Sequence, residues 1–173
     1  MSKKQTTIFI VEDNRVFRLA LKADIEVAFA NMPIKIHLFE TGESCMQEIK
    51  KEKPQIVILD YNLNSTVPNA ADGIKILDWI KRESYETKVI MLTADDHIDI
   101  ALKAFHHGAS DYVVKTDTKF SKINYSLFNL IKMMEATNEA KKYKYLSGVL
   151  MLCAGILLGS IVAIQLVNPS VLR

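Results

Sequence analysis

Apolar residues along the chain alternate between continuous runs and helical spacings, and that alternation predicts the order of the elements. Thr7 to Val11 is an apolar, β-rich run ending at Glu12-Asp13-Asn14, after which Val16, Leu19, Ala20, Ala23 and Val27 recur with helical spacing. Ile34 to Phe39 reads as the next strand, and the polar segment from Gly42 to Lys51, with apolar residues at Met46 and Ile49, as the next helix. Ile56 to Leu59 is a continuous apolar run, as a central parallel strand buried on both faces requires, and it stops at Asp60. A polar stretch through Asn62, Asn64, Ser65, Pro68 and Asn69 then leads to Asp72-Gly73 and a helix carrying Ile74, Leu77 and Ile80. Lys88 to Thr93 gives another strand, followed by Ile98, Ala101, Leu102 and Phe105 at helical spacing, with His106-His107-Gly108 closing that helix. Asp111 to Lys115 is a further strand, beyond which Ile123, Leu127, Leu130, Ile131 and Met134 mark one helical face.

Strand followed by helix, five times over, argues for an α/β fold: a doubly wound, five-stranded parallel sheet with helices on both faces. Each parallel crossover needs a helix, and nearly all such crossovers are right-handed. Folds of this kind bind ligands at the carboxyl ends of their strands. Glu12 and Asp13 fall after the first strand, Asp60 after the third, Thr93 after the fourth and Lys115 after the fifth.

Length and charge narrow the picture. A chain of 173 residues suits one main core, and a net charge of +2 is too small to supply the field a nucleic-acid binder relies on. The two cysteines, Cys45 and Cys153, exclude a disulfide framework or a zinc site. The N-terminus lacks the apolar stretch of a secretory signal, so the globular part is expected in the cytosol.

Charge is unevenly distributed, because the 22 residues from Leu146 to Val167 contain no Asp, Glu, Lys or Arg. At about 1.5 Å per residue such a helix spans about 33 Å, comparable with a bilayer core of about 30 Å. One transmembrane helix is therefore expected over residues 146–167, after a globular domain over 6–135 and a helical juxtamembrane linker over 136–145. Lys141, Lys142 and Lys144 precede the run while Arg173 alone follows it, and Tyr143 and Tyr145 sit where interfacial aromatics are favoured. The globular domain is thus expected on the cytosolic side of a C-terminal, single-pass anchor. Within the run Gly155, Gly159 and Ala163 form a small-residue stripe that allows two helices to approach closely, so a homodimer is expected.

The strand-end residues carry the candidate chemistry. Three carboxylates at one rim repel one another unless a cation joins them, and an acidic, oxygen-rich site suits Mg²⁺. Lys115 and the Thr93 hydroxyl then face a metal-bound anion, for which a phosphoryl group is the best candidate, and an aspartyl phosphate at Asp60 fits. Other features point to no chemistry. His97, His106 and His107 lack partners at metal spacing and read as surface or capping residues, while Met133-Met134 and the segment from Phe120 to Phe128 read as core filling. A dehalogenase-like phosphatase needs a second acid two residues after its aspartate, and Asn62 occupies that position.

Ile10-Val11-Glu12-Asp13-Asn14, Ile58-Leu59-Asp60-Tyr61-Asn62, Asp72-Gly73, Met91-Leu92-Thr93-Ala94 and Tyr112-Val113-Val114-Lys115 together resemble the receiver domain of two-component response regulators, over about residues 6 to 135. The resemblance implies a flavodoxin-like receiver fold in which a histidine kinase or phosphotransfer protein donates a phosphoryl group to Asp60. It implies Mg²⁺ ligation by Asp13 and Asp60, by Glu12 through water, and by the main-chain carbonyl of Asn62. Thr93 and Lys115 then contact the phosphoryl oxygens, and Tyr112 matches the family's switch aromatic, which turns inward as the threonine is drawn toward the phosphate. The family is found mainly in bacteria, which implies an inner, cytoplasmic membrane location with the receiver in the cytosol. The whole reads as a membrane-anchored, single-domain response regulator without enzymatic output. It signals to an output protein through the fourth helix, fifth strand and fifth helix, around Ala101 to Phe105 and Tyr112. A phosphorylation-independent membrane adaptor and a phosphate sink are the alternative readings. Two departures stand out: the loop from Asn64 to Ala71 is expanded, and Thr116 follows Lys115 where the family has proline.

Overall fold

A computed structural model describes residues 5–63, 71–94 and 98–167, with the side chains of 157, 158 and 160–167 outside the description. Its elements are β1 (Thr6–Val11), α1 (Arg15–Ala28), β2 (Ile34–Phe39), α2 (Gly42–Glu52), β3 (Ile56–Asp60), α3 (Gly73–Glu83), β4 (Lys88–Thr93), α4 (Ile98–His106), β5 (Asp111–Val114) and α5 (Lys119–Val167). The strands form one sheet in the order β2-β1-β3-β4-β5, with every pair parallel. This is the doubly wound, flavodoxin-like fold that the sequence predicts.

The inner strands read as continuous apolar runs because both their faces are covered. All five residues of β3 are buried, and so are Ile8 to Val11 of β1 and Val89 to Thr93 of β4. Helix α2 packs against α3 and α3 against α4. On the other side, α1 meets α5 through Phe17 and Phe120, whose ring centroids lie 5.5 Å apart, and through a 2.7 Å hydrogen bond from Asn124 Nδ2 to Asp24. Three helices start on side-chain caps, each of which satisfies an otherwise unpartnered amide. Asn14 accepts from the amide of Phe17, Thr41 from that of Ser44 and Asp72 from that of Lys75.

Two helices turn a different face inward from the one their apolar spacing marks. In α1 the buried residues are Arg18, Leu21 and Ile25, whereas Val16 is 78% exposed and Val27 80%, with Leu19, Ala20 and Ala23 also exposed. In α4 only Ala104 is buried, and Ile98, Leu102 and Phe105 project outward. The expected core filling from Phe120 to Phe128 and at Met133 is also only partial. Ile123, Ser126 and Leu127 are buried, but Tyr125, Phe128 and Met133 are exposed.

Two compact units are distinguished, Met1–Phe128 and Asn129–Arg173. The first holds the sheet, and the described part of the second is helical to Val167. Among the described residues no helix is long and apolar enough to cross a membrane. The expected span over 146–167 lies within α5, but most of its second half has side chains outside the description, Ala163 among them. Gly155 and Gly159 are exposed, with open space where a Cβ would stand.

Candidate functional site

Strand ends bring four of the expected residues to one point. Glu12 and Asp13 follow β1, Asp60 ends β3, and Lys115 follows β5. The three acids are almost fully buried, at 1%, 7% and 2% exposure, and offer one carboxylate oxygen each within 4.8 Å of one another. Lys115 Nζ reaches between two of them, 2.7 Å from Glu12 Oε2 and 2.9 Å from Asp60 Oδ2. The same ammonium lies 4.8 Å from the centroid of the Phe17 ring, which covers it on one side.

Burial and crowding set the protonation of this group. Burial, reinforced by the neighbouring Asp60 charge, pushes the Glu12 carboxyl up to about 7, and the contacts with Lys115 and the Asn14 amide offset only part of that. For Lys115, burial works against the charged form, but the Asp60 carboxylate and hydrogen bonds to Asp60 and Glu12 outweigh it and raise the ammonium above its usual range. The carboxylates are held together beyond what one ammonium neutralises. Asp60 Oδ1 is buried and has no hydrogen-bond partner among the described residues. An orphaned carboxylate oxygen beside two further acids is a donor set that fits a hard divalent cation such as Mg²⁺.

The remaining expected residues lie on β4, on β5 and just after β3. Thr93 is wholly buried at the end of β4, and its carbonyl accepts from the Lys115 amide at 2.7 Å. Leu92 is the register partner of Asp60, and its carbonyl accepts from the Tyr61 amide at 2.8 Å, so β4 steadies the chain just past the acid. Asn62, whose main-chain carbonyl is the expected metal ligand, lies between half-buried Tyr61 and buried Leu63 with its side chain exposed. Tyr112 is half-buried on β5, packs against the core and lines a groove of about 490 Å³ with Val114, Lys122 and Tyr125. Half-buried His107 donates from Nδ1 to the Asp78 carboxylate on α3 at 2.7 Å. Residues 64–70 of the expanded loop and His97 lie outside the described residues.

Two contributors to the site were not apparent from the sequence. Arg18, only 9% exposed, sends Nη1 to the main-chain carbonyl of Glu12 and, at 3.5 Å, to that of Asp13, while Nη2 lies 3.8 Å from Glu40. A charged residue on an amphipathic helix ordinarily reads as solvated, and its acceptors are backbone atoms that leave no mark in the sequence. Gly73 donates its amide to the Tyr61 carbonyl at 2.9 Å, which ties the start of α3 to the acid's own loop. The Asp72-Gly73 pair was the available signal for this second contact.

The response regulator receiver domain model matches residues 8–123. The chain is 29% identical over 84 residues to the regulatory protein LuxO of Vibrio cholerae, covering 49% of this chain and 17% of that one. It is 28% identical over 151 residues to DctR of Bacillus subtilis, described as a C4-dicarboxylate response regulator, covering 83% of this chain and 56% of that one. This chain therefore spans less than two thirds of the length of either relative. Among solved structures, the signal receiver domain of a protein described as a LuxO repressor from Vibrio parahaemolyticus superposes with a TM-score of 0.64 at 27% identity, covering 78% of this chain and 96% of that one.

Proposed function

Because the chain belongs to the response regulator receiver domain family, we propose that it accepts a phosphoryl group on Asp60 from a histidine kinase or phosphotransfer protein and relays the change by protein contact. The observation that carries this reading is the buried Asp60 carboxylate, with one oxygen on Lys115 and the other unpartnered among the described residues, beside Glu12 and Asp13. A carboxylate oxygen attacks phosphorus, the phosphorus–nitrogen bond to the donor imidazole breaks, and the imidazole nitrogen leaves with the electron pair. Glu12, Asp13, Asp60 and the main-chain carbonyl of Asn62 are the residues that would hold Mg²⁺, which supplies neutralisation of the phosphoryl charge. Lys115 gives a fixed ammonium for a phosphoryl oxygen, and Phe17 keeps water from one side of it. The Thr93 hydroxyl is the second contact to that group, and Tyr112 is the residue that answers its movement.

The output surface in this reading is α4 with β5 and the start of α5. Ile98, Leu102 and Phe105 give α4 an outward apolar face, and Tyr112 and Tyr125 line the neighbouring groove. In this reading the chain is a switch and not an enzyme, consistent with Asn62 where a hydrolytic aspartate site needs a second acid.

Membrane anchoring through residues 146–167, with the receiver in the cytosol at the inner membrane, belongs to the same proposal. It is supported by the uncharged 22-residue run and by the exposed apolar side chains of Leu146, Leu150, Met151, Leu152 and Ile156. A homodimer through Gly155, Gly159 and Ala163 follows from the anchor. Replacing both glycines with isoleucine should abolish crosslinking in membranes.

Intact-protein mass spectrometry of the full chain with Mg²⁺ and a small phosphodonor tests the central claim. A phosphoryl adduct absent from Asp60→Asn is expected. Absence of any adduct, with donor or kinase, would favour the phosphorylation-independent membrane adaptor, toward which Thr116 in place of proline and the expanded loop already lean. An adduct that hydrolyses rapidly and recruits no partner would favour the phosphate sink.

A further inference from the structure

The chain segment carrying Glu12 and Asp13 is gripped from behind. Arg18 lies one helical turn into α1, on the inward face with Leu21 and Ile25, at a position where an apolar side chain is the ordinary occupant. Its guanidinium donates to the main-chain carbonyl of Glu12 and lies 3.5 Å from that of Asp13, both from Nη1. Its one carboxylate neighbour among the described residues, Glu40 at 3.8 Å, is 61% exposed in its side chain, so solvent screens that pair. The principal acceptors are therefore backbone oxygens of the two residues whose side chains form the acidic cluster.

We propose that Arg18 is a positioning residue for the acidic pair, clamping the Glu12 and Asp13 main chain so that their carboxylates stand at ion-binding spacing before any ion arrives. The inference rests on reading the cluster as a cation-assisted acceptor site. Glu12, Asp13 and Asp60 repel one another, and a loop free to relax would spread them; a planar guanidinium fixed by burial resists that spreading. Lysine can keep the charge, but its flexible stem and strongly hydrated ammonium hold the two carbonyls less rigidly than a planar guanidinium fixed by burial.

The sign of the effect separates this role from simple electrostatics. Arg18 is a cation near a cation site, so charge alone predicts that removing it tightens Mg²⁺ binding, and that salt erases the gain. Positioning predicts weaker binding on removal, and a deficit that persists at high salt.

The experiment is Mg²⁺ titration of the full chain by isothermal calorimetry at low and at high salt, using the wild type, Arg18→Met, Arg18→Lys and Glu40→Gln. We expect Arg18→Met to bind about tenfold more weakly at both salt concentrations, Arg18→Lys to fall between it and wild type, and Glu40→Gln to match wild type. Binding by Arg18→Met as tight as wild type or tighter overturns the clamp, and so does an equal loss in Glu40→Gln, which would assign the effect to the charge pair. If Arg18→Met does not fold, Arg18→Lys decides, with wild-type affinity overturning the proposal. Wild-type chain that binds no Mg²⁺ would remove the acceptor-site reading together with the clamp, an outcome distinct from a variant matching a wild type that does bind.

Discussion

A Cβ built on Gly73 would stand 2.6 Å from the main-chain carbonyl oxygen of Asp60, so α3 starts in direct contact with the strand end that carries the acid. The obstacle is backbone, which cannot swing aside as a side-chain tip can. Gly73→Ala should therefore destabilise the fold by about 1–3 kcal/mol, as overpacking in a core does, and a shifted urea midpoint with unchanged slope is the expected record.

Lys115 holds Glu12 and Asp60 at 2.7 and 2.9 Å, occupying the carboxylates that a divalent ion would need. Lys115→Met should tighten Mg²⁺ binding by about tenfold, or about 1.4 kcal/mol, because the resident ammonium no longer competes. Calorimetric titration measures this directly, and weaker binding would mean that the ammonium helps to assemble the ion site.

Cys45 is wholly buried in the core, and burial pushes its thiol up to about 12. At pH 8 the thiolate population is negligible, so iodoacetamide should leave Cys45 unmodified in the folded chain and alkylate it after denaturation. Peptide mapping distinguishes the two states.

Glu52 on α2 accepts a 2.9 Å hydrogen bond from Lys35 on β2, and that bond lowers its pKa; desolvation opposes it, and the charges of Lys35, His37 and Lys51 add to the lowering. A folded-state pKa below the unfolded one gives stability that is present above the ordinary carboxylate range and lost as pH falls through the folded value. Glu52→Gln should melt below wild type at pH 7, and the gap should close on acidification through about pH 4 and below. A gap that stayed constant with pH would locate the effect in packing instead.

The sheet was legible in the sequence because its inner strands are covered on both sides: Ile56 to Leu59 has no polar interruption, and the buried acid that ends it marks the strand's carboxyl end. The helices were less so. Helix α1 carries two stripes, and the more apolar one, Val16, Leu19, Ala20, Ala23 and Val27, faces outward, while the inward stripe is masked by Arg18. A sequence pattern assumes that charge stays in water, but Arg18 is buried because the first turn after β1 supplies carbonyl acceptors for it. In α4, Ala104 alone goes inward, so the larger apolar side chains had to be on the outside.

At the site, Glu12, Asp13, Asp60, Thr93 and Lys115 were all legible as strand-end residues, since chain order and a parallel sheet together bring such positions to one rim. The backbone contacts were not. The Arg18 grip and the Gly73 approach to Asp60 depend on how closely neighbouring segments pass, which residue types alone do not encode.

β3 is buried along its whole length and hydrogen-bonded to a strand on either side. Mechanically, Asp60 ends a beam braced on both sides, as Thr93 does on β4. A load applied at its carboxylate is poorly absorbed by bending either strand, so the compliance lies further across the sheet, in β5, a four-residue strand at the edge paired on one side only. The direction in which the molecule yields is thus set by the architecture before any chemistry takes place.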